Sequence, residues 1–118
     1  MYDYISLFSD DEYSRRISIE TLEQFLLDEM NFTKESNLVF SKRIGEEYIK
    51  LRGILANSYG NYAYDTLEGI NEVNLIEIDI PDIIFPQVEE HILEIANAIG
   101  KKFSWYIFDH ETFSKIKL

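Results

Sequence analysis

Two histidines, His91 and His110, are the only side chains in this sequence that ordinarily titrate near neutral pH. Proton transfer by either would need a second group at defined spacing. His91 stands between Glu90 and Ile92 in a segment with helical periodicity, and it reads as a helix-flank residue. His110 belongs to Asp109-His110-Glu111, three metal-capable types in a row. Neighbours on an extended chain point to opposite sides, so these three cannot converge on one ion. A second cluster, Asp10-Asp11-Glu12, could complete a site only if it met the first. Antiparallel first and last strands would put their C-terminal ends at opposite edges of a sheet, so no metal site is expected. The chain has no Cys, which excludes thiolate zinc sites and cysteine nucleophiles. It also lacks a phosphate-cradling Gly loop, a His-Glu-x-x-His helix and a nucleophile elbow. With 22 carboxylates some pair must lie close, so a carboxylate pair carries no information. The expectation is a non-enzymatic domain with no catalytic residue and no cofactor.

Charge is more informative. Eleven basic against 22 acidic residues give a net charge of −11. That opposes binding to nucleic acid or to an anionic membrane, and it permits steering toward a basic partner. Solubility alone also accounts for an acidic surface. The distribution says more than the total. Between Gly53 and Gly100 there is no Lys or Arg, yet the stretch holds Asp65, Glu68, Glu72, Glu77, Asp79, Asp82, Glu89, Glu90 and Glu94. Just ahead of most of these lie Tyr59, Tyr62 and Tyr64 among Asn, Ser and Gly. Such mixtures pack at sheet edges with their hydroxyls in water, or serve as contact surfaces, because Tyr offers area at low entropy cost.

The elements that must position these groups follow from periodicity. At 118 residues, 46% hydrophobic, the chain is one domain with enough apolar side chain for a core. Residues 2–8 read as a strand. Ser18 reads as the N-cap of a helix over 19–30, with Ile19, Leu22, Phe25, Leu26 and Met30 on its apolar face. Residues 37–43 and 47–56 read as strands joined by a Gly45-Glu46 turn. The segment 57–71 continues a strand or forms a long loop. Val73–Ile80 is the clearest strand, and Pro81 stops it. Pro86 suits the first turn of a helix over 86–99, with Val88, Ile92, Ile95, Ala96 and Ile99 as the buried stripe and Gly100 as the terminator. Residues 103–109 make a last strand, and Lys115-Ile-Lys-Leu118 is expected to fray. The order β-α-β-β-β-α-β predicts an α+β domain spanning 1–118. Its mainly antiparallel sheet carries two helices on one face, as in a ferredoxin-like split βαβ with one extra strand.

The segments Val73-Asn-Leu-Ile-Glu-Ile-Asp-Ile-Pro81, Ile95-Ala-Asn-Ala-Ile-Gly100 and Trp105-Tyr-Ile-Phe-Asp-His-Glu-Thr112 combine a strand, an Ile-Pro stop, an acidic helix and an aromatic strand. This last third of the chain resembles the tails of small acidic immunity proteins from bacterial polymorphic-toxin and contact-dependent inhibition systems. The resemblance implies a cytoplasmic protein that binds and blocks a cognate toxin, commonly a nuclease. It carries over no set of functional residues.

The partner expected from charge and resemblance together is therefore a basic toxin domain, with no nucleic acid and no membrane. The partner-binding residues would be Tyr59, Tyr62 and Tyr64 as anchors, with Asp65, Glu68, Glu72, Glu77, Asp79, Glu89 and Glu90 as charge complement. Two other readings use different chemistry. A phage-type nucleic-acid mimic would space its carboxylates like phosphates. A small-ligand or enzymatic domain would need a pocket with converging polar groups. The absence of Cys, of a basic N-terminal region and of a long apolar run leads to the expectation of a cytoplasmic protein.

Overall fold

A computed structural model describes residues 3–10, 12–57, 69–80, 86–109 and 114–117. In chain order the elements are β1 (Asp3–Phe8), β2 (Ile17–Ser18), α1 (Ile19–Gln24) running into a π-helical turn (Phe25–Glu29), β3 (Thr33–Ser36), β4 (Val39–Ile44), β5 (Glu47–Ile54), β6 (Glu72–Val73), β7 (Leu75–Ile80), α2 (Pro86–Phe103), β8 (Tyr106–Asp109) and β9 (Ser114–Lys117). Seven strands form one sheet in the order β3-β4-β5-β7-β1-β8-β9, and every pair in it is antiparallel. The β2–β6 pair stands apart as a small second sheet. The architecture is α+β, an antiparallel sheet with two helices.

Alternation decides what each face of the sheet does. Ile5 pairs with Ile78, and Leu51 pairs with Ile78 from the other side. Leu7 pairs with Ile76 and with Ile107. Residues paired across antiparallel strands share a face, so these form one apolar surface, the inner face. Helix α2 lays Val88, Ile92, Ile95, Ala96 and Ile99 on it, and Leu22, Phe25 and Leu26 join the same core. Each large side chain buried this way is worth about 1.5–3 kcal/mol, and together they hold the helices to the sheet.

Several local expectations are met in detail. Ser18 caps α1, its hydroxyl accepting from the Thr21 N–H at 3.2 Å. Gly45 takes φ +61° in the two-residue connection between β4 and β5, a conformation that tight hairpins require. On β5, Ile49 and Leu51 are buried while Tyr48 and Lys50 are exposed, as the alternation predicts.

Other boundaries move. The first helix does not run as α-helix to residue 30. It widens after Gln24, and the Met30 N–H bonds the Phe25 carbonyl at 3.2 Å, five residues back. Helix α2 does not stop at Gly100, which is buried inside it. It ends when Ser104 takes φ +58° and the Trp105 N–H closes on the Gly100 carbonyl at 2.9 Å. This is a Schellman closure with Ser in the place usual for Gly, and buried Trp105 is the apolar residue that follows it. Lys101 and Lys102 then sit in the last turn, where the helix dipole favours cations. Val73 is not part of the strand that follows: it pairs with Ile17, and Asn74 interrupts the chain before β7. Of the segment expected to fray, Lys115, Ile116 and Lys117 pair with β8 instead, while Leu118 lies outside the described residues. With β3 at the far side, the sheet gains one strand at each edge beyond those expected.

Candidate functional site

The predicted partner-binding residues fall into separate places. Tyr59, Tyr62, Tyr64, Asp65 and Glu68 lie outside the described residues. Glu72 is exposed on β6, opposite the capping Ser18. Glu77 and Asp79 are on β7 with their side chains on the outer face of the sheet, away from both helices. Glu89 and Glu90 are exposed on α2, which covers the inner face. The sheet therefore stands between the β7 acids and the α2 acids, so these two groups do not form one patch.

Nor are the β7 acids uncompensated. Arg52 lies directly across from Glu77 in the β5–β7 pairing. Its guanidinium reaches Asp79 at 3.0 Å and Glu77 at 3.3 Å. Glu77 is buried, with 10% of its side chain exposed against 20% for Asp79 and 30% for Arg52. Charges so far out of water need such a partner. Arg52 precedes Gly53 by one residue, so a count of cations inside the acidic block misses it, although antiparallel pairing brings it to the middle of the block's main strand.

The α2 acids differ. Glu89, Glu90 and Glu94 are all exposed, and between them Leu93 is one of the two large hydrophobic residues left in solvent among the described residues, at 47%. These positions follow one another at helical spacing and share the outward side of the helix. His91 Nδ1 lies 3.7 Å from a Glu94 carboxylate oxygen. The first cation further along the helix is Lys101. Lys102 is turned toward the π-helical turn, with Nζ 3.9 Å from Glu29 and 5.6 Å from the Phe25 ring centre. The other exposed apolar side chain is Tyr48, at 68% on the β4–β5 hairpin, opposite Arg43.

Of the residues considered for metal chemistry, Asp11, His110 and Glu111 lie outside the described residues, and Asp10 has structural work. One Asp10 oxygen accepts from the Glu12 N–H at 3.0 Å and the Ser14 N–H at 2.9 Å. The other accepts from the Ser14 hydroxyl. The Ser14 hydroxyl, followed by its backbone N–H, holds the Asp10 carboxyl below the usual carboxylate value; burial opposes this, and the Glu12 N–H and then the Arg15 charge add smaller lowering effects. Arg15 then ties this turn down, donating to the Ser9 carbonyl at 2.7 Å and the Ser104 carbonyl at 2.8 Å. Ile5 pairs with Asp109 while Phe8 pairs with Tyr106, so the C-terminal ends of β1 and β8 lie at opposite ends of the sheet. Among the described residues no group of three His, Cys, Asp or Glu side chains could hold a metal.

One polar residue that alternation does not single out proves central to this end of the molecule. Asn74 is fully buried. Its side-chain oxygen accepts from the Ala56 N–H at 2.7 Å, and its amide donates to the carbonyls of Ala56 and Tyr13, both at 2.9 Å. Its backbone bonds the Ile54 carbonyl and the Ser9 N–H. Beside it the outer face carries a second apolar cluster of Phe8, Ile54, Ala56 and Leu75, with Tyr13, Tyr106 and Phe108 packed against it.

Comparison with known protein families, curated proteins and solved structures finds no match to the chain. Among the described residues no helix is long and apolar enough to cross a membrane.

Proposed function

We propose that the chain is a non-enzymatic domain that binds a basic protein, as an immunity protein covers its cognate toxin, through the outward side of α2. The observation that carries this reading is the character of that side. Glu89, Glu90 and Glu94 stand exposed around half-exposed Leu93, with no Lys or Arg on the helix before Lys101. An apolar centre inside a charged rim is the usual plan of a contact surface, and a net charge of −11 steers a cationic partner toward it. A basic nuclease-type toxin domain is the partner class that fits, since a protein that holds nucleic acid presents cations.

Tyr59, Tyr62, Tyr64, Asp65, Glu68 and Glu72 remain in the proposal on the grounds given by the sequence. Glu77 and Asp79 leave it, because Arg52 already neutralises part of their charge and Glu77 is buried. A ferredoxin-like core is part of the same reading. It is supported by the neighbouring strands β5-β7-β1-β8, with α1 between β1 and β5 in sequence and α2 between β7 and β8. A cytoplasmic location agrees with the absence of Cys.

A pull-down from the native host at low salt tests the proposal. Three baits are compared: the wild type, Glu89→Gln/Glu90→Gln/Glu94→Gln, and Glu20→Gln/Asp28→Asn/Glu46→Gln, which removes as much charge from other exposed positions. The wild type and the second variant should retain a basic protein that salt on the order of 0.3 M releases, because screening weakens exposed charge pairs. The α2 variant should lose it. Equal loss from both variants would refute the α2 surface, and no basic protein on any bait would refute the reading as a whole.

A further inference from the structure

We draw no further inference here: the strongest candidate, the outward surface of the β4–β5 hairpin where exposed Tyr48 stands opposite Arg43, is an unpartnered face, and nothing in the structure shows what covers it.

Discussion

Replacing Asn74 should unlock one end of the molecule. Its side chain makes three hydrogen bonds of 2.7–2.9 Å to the main chain, two with Ala56 and one with Tyr13. Asn74→Ala removes all three, and each is worth about 1 kcal/mol net. Ala56 is only 3% exposed, so its N–H and carbonyl are left without these partners in a place water reaches poorly. An orphaned buried group adds about 1–3 kcal/mol where relaxation cannot recover it. The expected loss is about 3–4 kcal/mol, a large part of the roughly 5–15 kcal/mol that holds a domain together. Asn74→Asp is a sharper probe. The acid keeps the acceptor for the Ala56 N–H but turns an oxygen toward the two carbonyls that the amide served. At neutral pH it should cost at least as much as Ala, despite its nearly identical shape. Urea unfolding followed by circular dichroism would measure both, and an unchanged denaturant slope would show that folded-state stability is being read. A loss below about 1 kcal/mol for Asn74→Ala would refute the claim that this residue bridges the segments around it.

Gly53→Ala should destabilise by about 1–3 kcal/mol, because a Cβ there would lie 3.0 Å from the side chains of Leu38 and Val73 and 3.2 Å from Leu22; a neutral result in thermal unfolding would mean that the helix-to-sheet contact is looser than described. Arg52→Met should cost about 2 kcal/mol, less than a fully buried pair because the Arg52 side chain is 30% exposed. Adding Glu77→Gln and Asp79→Asn to it should recover part of that loss, and further destabilisation would contradict the ion-pair argument. Asp10→Asn should lower stability at pH 7. Because folding depresses the Asp10 pKa, its contribution is present above the unfolded value and is lost as pH falls through the lower folded value. The gap between variant and wild type should therefore narrow below about pH 4, and a gap constant from pH 6 to pH 3 would count against the Ser14 hydrogen bonds as its cause.

Periodicity made much of this fold readable. The stripe Val88, Ile92, Ile95, Ala96 and Ile99 and the alternation of Ile49 and Leu51 with Tyr48 and Lys50 report directly which side of an element is buried. Ser18 and Gly45 are legible because their roles are local, a cap within three residues and a turn within two. What escapes is set by distant neighbours. Glu77 alternates like a solvent-facing residue, but Arg52 and its surroundings bury it. Asn74 looks like another polar position in a strand until Ala56 and Tyr13 arrive as its partners. Gly100 has the composition of a helix terminator, yet the helix passes through it, and Ser104 accepts the left-handed turn instead. The acidic block is visible in one dimension only: chain order cannot say that the sheet comes between its members.

The position of β1 in the sheet also bears on how the chain is made. The strand lies between β7 and β8, so Phe8 pairs across the sheet with Leu75 and Tyr106. A ribosome adding about 5–20 residues per second leaves β1 waiting several seconds for its mates. During that wait Ile5, Leu7 and Phe8 have no sheet to join, and the distant pairing that finally recruits them is of the kind that closes slowly. The strand is thus made well before the partners that secure it, and a nascent chain stalled before Leu75 would present its apolar side chains to whatever lies nearby.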